Sequence, residues 1–171
     1  MQRRMGLLSA MAGALALALA LALVGEAPSA QERPKVVKEM ASLKGENEVP
    51  PADRDGSGTA RVTLRQQKGT VCFTIRFQGI ENPIMGHIHR GRAGVIGPIV
   101  VPFFETDAGR RSPIKDCVKA TKSLIKSIAR RPQRFYVNIH TPSFPDGAIR
   151  GQLKRSGVGG GSQGGGGGLP Y

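Results

Sequence analysis

The residues best placed for chemistry are the chain's three histidines. His87 and His89 stand in Gly86-His87-Ile88-His89-Arg90-Gly91, and His140 stands in Tyr136-Val137-Asn138-Ile139-His140-Thr141. Both stretches mix β-branched and aromatic residues in the manner of short β-strands. In an extended strand successive side chains point to opposite faces, so His87 and His89 share one face and Ile88 takes the other. By the same count Tyr136, Asn138 and His140 lie opposite Phe135, Val137 and Ile139. With the isoleucine faces inward and the two strands close together, the three imidazoles converge. Neutral imidazoles suit divalent late transition metals, so His87, His89 and His140 are a candidate site for copper, with zinc as second choice. A structural reading stands beside it: histidines at a strand rim can hydrogen-bond to backbone carbonyls, with Asn138 and Thr141 in the same network. Catalysis has less support. No serine or cysteine nucleophile motif accompanies the histidines and the acidic residues form no pair, so the sequence leans away from an enzyme.

The elements that must position these residues read as mostly β. Val36 to Leu43 begins a first strand, and Asn47-Glu48-Val49-Pro50-Pro51 breaks regular structure. Asp55-Gly56-Ser57-Gly58 is a turn signal. Ala60, Val62 and Leu64 alternate with polar residues, as do Val71, Phe73, Ile75 and Phe77, which predicts a hairpin. Ile84 to His89, Ile99 to Phe104, Phe135 to His140 and Ala148 to Leu153 complete six to eight short strands. Glycine and proline turns between them argue for a β-sandwich or barrel.

From Ile114 to Arg131 the period changes. Ile114, Val118, Ile125 and Ile128 repeat at helical spacing, with Lys115, Lys119, Lys122, Lys126 and Arg130 largely on the other side. Pro132 ends the pattern, and the part from Thr121 to Arg131 is the expected helix, because Cys117 has to reach a partner. The basic residues are either a solvated face or a docking surface for an anionic partner.

The N-terminus sets the compartment. Arg3 and Arg4 precede an apolar run from Gly6 to Gly25, and small residues suited to cleavage follow near Ser29 and Ala30. This is the pattern of a secretory signal peptide over residues 1–30, and its length also suits an uncleaved membrane anchor. The expected location is therefore periplasmic or secreted, with membrane contact only through that segment. In an oxidising compartment Cys72 and Cys117, the only cysteines, are most simply a disulfide. Closing a loop of about 45 residues is worth up to about 4 kcal/mol in the chain-entropy view. Residues 156–171 are dominated by glycine and cannot bury a core. One domain of roughly 120 residues remains, over about 35–154, an ordinary size. The formal charge of +13 falls to about +12 without the leader.

Several pieces then carry a resemblance. In order they are Leu43-Lys44-Gly45-Glu46-Asn47-Glu48-Val49-Pro50-Pro51, the Gly86–Gly91 stretch, Gly94-Val95-Ile96-Gly97-Pro98-Ile99-Val100-Val101, the Tyr136–Thr141 stretch, and Pro145-Asp146-Gly147-Ala148-Ile149-Arg150-Gly151-Gln152-Leu153. Over about 110 residues the chain resembles the CHRD domain, the module named after chordin and widespread in bacterial secreted proteins. The resemblance implies an immunoglobulin-like β-barrel or sandwich, distantly similar to copper/zinc superoxide dismutase, and no known activity. Within the motif pieces, Gly91, Gly97 and Pro98 are expected to set turns, and Arg150 to pair with Glu46 or Glu48 and order the Asn-Glu-Val-Pro loop. The likeness to the dismutase implies that His87 and His89 match a copper-binding His-x-His pair and His140 a later copper ligand. It also has a limit, because no fourth histidine exists to bridge to a zinc ion.

Three function classes follow: an exported binding or structural module of the envelope or extracellular space; a copper-binding protein or minimal dismutase-like oxidoreductase; and an electrostatic binder of anionic envelope polymers. The first would have an envelope or extracellular protein as its partner. Export and the low aromatic content argue against nucleic acid as a partner.

Overall fold

A computed structural model describes residues 36–106 and 109–157. The expected leader over 1–30 and the tail beyond residue 157 lie outside the described residues. The strands are β1 (Val36–Lys44), β2 (Ser57–Arg65), β3 (Thr70–Gln78), β4 (Met85–Arg90), β5 (Ile99–Glu105), β6 (Ile114–Lys119), β7 (Phe135–His140), β8 (Ile149–Gln152) and β9 (Lys154–Arg155). One helix, α1 (Lys122–Arg130), joins β6 to β7. All strand pairs are antiparallel, in the order β5-β4-β7-β8-β1-β2-β3-β6, with β9 paired to β1. The two edge strands, β5 and β6, approach one another, so the sheet is a nearly closed barrel. Phe73 of β3 stacks on Phe103 of β5 with ring centroids 4.1 Å apart, filling the interior across that seam. The chain is all-β, as its alternation predicts.

Alternation decides what the barrel encloses. Val62 and Leu64 of β2, Phe73 and Ile75 of β3, Ile88 of β4, and Val137 and Ile139 of β7 all turn into one buried core. Their neighbours in sequence point outward. Each buried aliphatic side chain of this size contributes roughly 1.5–3 kcal/mol, so the single core is the main source of stability. One inward residue breaks the rule: Glu39 of β1 is fully buried, with its carboxylate 3.5 Å from Arg155 Nε. Burial raises its pKa and the Arg155 charge moderates the rise.

The stretch from Ile114 to Arg131 splits as the cysteine requires. Thr121 caps α1, its hydroxyl accepting from Leu124 N at 3.3 Å, and Ile125 and Ile128 close over the core. The residues before it form β6 rather than helix. Ile114 and Val118 are four apart, a spacing that fits one helix face and one strand face equally well. Lys115 and Lys119 therefore lie on an edge strand, and Lys122, Lys126 and Arg130 on α1; all five are exposed, and they do not form one helical stripe. Cys72 and Cys117 are direct register partners on β3 and β6 and form a disulfide, with Cα atoms 4.0 Å apart. The bond ties the edge strand to the sheet. Replacing both cysteines by serine is expected to lower stability by about 2–4 kcal/mol, read as the urea midpoint. An unchanged midpoint would show that β6 holds its place without the bond.

Candidate metal centre

β4 and β7 are adjacent, and their register pairs Met85 with His140, His87 with Asn138, and His89 with Tyr136. Because Ile88, Val137 and Ile139 fill the core, the histidine face is the outer face of the sheet. It is not open to solvent. His87, His89 and His140 are 6%, 8% and 6% exposed, roofed by the 91–98 loop and the 141–147 turn. Two roof carbonyls grip the rings: His89 Nδ1 lies 2.8 Å from Gly97 O, and His140 Nδ1 lies 2.9 Å from Pro145 O. A carbonyl only accepts, so both Nδ1 atoms carry the proton and both Nε2 atoms keep a lone pair. His89 Nε2 is buried without a hydrogen-bond partner. His140 Nε2 stands 3.2 Å from His87 Nδ1, which donates to it. One nitrogen from each ring falls within 4.8 Å of the others.

Burial keeps the cluster neutral. It is the main cause pushing the His87 imidazole down to about 4, with the neighbouring His140 and His89 adding to it. It also lowers His89 and His140, while their carbonyl partners pull the other way. Three uncharged imidazoles are what a late transition metal needs, and ring N–H groups anchored on backbone carbonyls are the usual support of histidine ligands. A metal ion here competes with a single proton, the one shared by His87 and His140. Ligand bonds of about 2.0–2.1 Å require the rings to draw together slightly from their present spacing.

β8 extends the same face. Arg150 is opposite Asn138 and Gln152 opposite Tyr136. The Tyr136 ring stacks on His89, with centroids 4.8 Å apart and planes 6° from parallel. The Arg150 guanidinium lies 4.2 Å from the Tyr136 centroid and donates to Val95 O at 3.2 Å. The expected ion pair of Arg150 is absent among the described residues. Glu46 is exposed and pairs with Lys44 Nζ at 2.8 Å, while Glu48 is buried without a direct bond to Arg150. Arg150 instead holds the roof, and Asn47, not a glutamate, orders the Asn-Glu-Val-Pro loop by donating to Arg150 O at 3.1 Å.

The turn residues Gly91, Gly97 and Pro98 build that roof. Arg90 N donates to Pro98 O and Gly91 N to Arg134 O, both at 2.9 Å, and a Cβ on Gly97 would collide with the Arg90 carbonyl. Tyr136 is a site residue that motif reading leaves out, and Glu48, expected only as a partner for Arg150, is buried in its own right. Tyr136 was detectable as the residue four before His140 on the same strand face. The burial of Glu48 could not be read, because it depends on the 141–147 turn packing over it: a Cβ on Gly147 would stand 2.9 Å from Glu48 Oε1.

A family model, the CHRD domain, matches residues 40–153. No curated protein and no solved structure matches the chain. The likeness to copper/zinc superoxide dismutase thus gains no support.

Burial pushes the Glu48 carboxyl up to about 7, against the opposing Arg150 charge. A carboxyl raised in the folded state adds stability that is complete below its unfolded pKa near 4.5 and is lost as pH rises through about 7. Glu48→Gln is therefore expected to leave stability at pH 4 nearly unchanged and to raise it by roughly 2 kcal/mol at pH 8. Denaturant unfolding at the two pH values measures both. Destabilisation at pH 8 would mean that Glu48 is ionised and held by Arg150.

Proposed function

The chain belongs to the CHRD-domain family, and from that premise we propose that it is an exported binding module whose histidine face holds one late transition-metal ion, copper first and zinc second. One observation carries this reading: His89 and His140 are both fixed with Nδ1–H on a backbone carbonyl, leaving two buried Nε2 lone pairs beside His87. A purely structural role for the histidines explains the carbonyl bonds. It does not explain the unpartnered His89 Nε2, since a buried acceptor left unmade costs about 1–3 kcal/mol.

Export is supported by the basic, apolar and small-residue order of the first thirty residues and by the Cys72–Cys117 bond. Among the described residues no helix is long and apolar enough to cross a membrane. His87, His89 and His140 would supply three ligands and leave a position for water or a small ligand, so a bound ion would offer Lewis-acid chemistry or, as copper, one-electron chemistry. Tyr136 and Arg150 keep the His89 ring and its roof in place, and the roof excludes bulk water.

Titration with copper and with zinc is expected to give one ion per chain, lost in His87→Ala/His89→Ala and weakened at least 100-fold in His140→Ala, with circular dichroism checking that both variants fold. The lowered imidazoles also set the pH window. Because the folded site resists protonation below the ordinary 6.5, copper should remain bound at pH 5.5 and leave as pH approaches about 4. Binding that ignores both variants, or no binding at all, overturns the reading.

A further inference from the structure

The roof loop has a second face that the histidines do not use. Val95, Ile96 and Ile99 are 49%, 71% and 50% exposed, three of the five large hydrophobic residues left in water among the described residues. Isolated exposed apolar residues are ordinary, but three within five positions concentrate apolar surface on one loop. The loop cannot fold them away. Arg90 N–Pro98 O closes its base at 2.9 Å and Val95 N–Arg92 O closes its turn at 3.1 Å. His89 and Arg150 hold Gly97 O and Val95 O from below, and Gly97 N donates to Tyr136 Oη at 3.2 Å. The apolar tip is thus presented on a clamped frame.

Beside the tip lies a cleft of about 300 Å³ lined by Arg90, Arg92, Arg131, Arg134, Ser127 and Phe135. Four arginines line it from three places: the end of β4, the roof loop, and the turn that follows α1. Arg90 lies over the Phe135 ring, 5.4 Å from its centroid. None of the four has an ion-pair partner among the described residues. Four like charges around one cleft favour an anion between them, and guanidinium forks suit the oxygens of a phosphate. These are not the basic residues that the sequence pattern singled out on β6 and α1.

We propose that the 90–99 loop and the four-arginine cleft dock the domain on an anionic lipid surface, a phosphate headgroup entering the cleft while Val95, Ile96 and Ile99 enter the headgroup–acyl boundary. Charge complementarity selects the phosphate. The apolar tip selects a lipid over a free phosphate, which has no use for it, and an apolar tip with flanking cations is the pattern of interfacial membrane binding. This contact is separate from any made by the N-terminal segment, and it does not rest on metal uptake.

The test uses the chain from Gln31 onward, which contains every described strand, the core and the disulfide. It is sedimented with vesicles of phosphatidylcholine, with and without about one third phosphatidylglycerol, at low and at physiological salt. Binding is expected only with phosphatidylglycerol and should weaken with salt. Arg92→Ala/Arg131→Ala should weaken it about 25-fold, near fivefold per arginine. Ile96→Ser should weaken it at least fivefold, and all the substituted side chains are exposed, so melting should be unchanged. Absence of binding to phosphatidylglycerol overturns the proposal. So does binding indifferent to Ile96→Ser, or full displacement by inorganic phosphate at constant ionic strength, which would mark a free-phosphate site.

Discussion

Two backbone carbonyls, of Gly97 and Pro145, determine what the histidine face can be. Each accepts a proton from one imidazole, and that single bond sets a tautomer, a ring orientation and the direction of a lone pair. Without them the rings would turn among rotamers and tautomers, and the cluster would be three polar side chains in a poorly hydrated place. The roof loops are therefore part of the site as much as the strands are. The constraint also explains the roof glycines. Gly97 must pass against the Arg90 carbonyl, and Gly147, with φ of 137°, must leave room for Glu48 and Asn138.

The sheet contributes the other half. Period-two alternation on β4 and β7 sends Ile88, Val137 and Ile139 into the barrel and leaves the histidines on its outer surface, next to Tyr136 and Arg150. Burying so many polar groups outside the main core is costly unless they bond to one another or to ligands. Most do bond, and the exceptions are informative: His89 Nε2, Glu48 Oε1, Asn138 Oδ1 and Thr141 Oγ1 have no partner. The first is the lone pair on which the proposed metal site rests. The second fits a carboxyl that burial keeps protonated up to near neutral pH. Exposed basic side chains lie on the edge strand, the helix and around the arginine cleft, away from the histidine rings.

Alternation made much of this legible from the residues. The β2–β3 hairpin, the shared face of His87 and His89, the inward isoleucines, the start of the helix at Thr121 and the pairing of Cys72 with Cys117 all follow from local pattern and compartment. What could not be read depended on contacts distant in the chain. Ile114 and Val118 fit helix or strand until the disulfide partner is placed, so β6 was hidden inside a helical period. Glu39 looks like a surface residue and lies in the core beside Arg155. Arg150 looks like half of an ion pair and instead stacks on Tyr136 under the roof. The roof itself was the largest gap, since turn motifs announce bends but not what the bends cover.

The tautomers of the metal-free protein test the account most directly. Long-range proton–nitrogen correlation of the three imidazoles at pH 7 should show His89 and His140 neutral, protonated at Nδ1 and bare at Nε2, and both should charge only below the range of an ordinary imidazole. Finding either ring protonated at Nε2, exchanging between tautomers, or titrating no lower than an ordinary imidazole would contradict the view that the roof carbonyls hold two lone pairs ready for a metal ion.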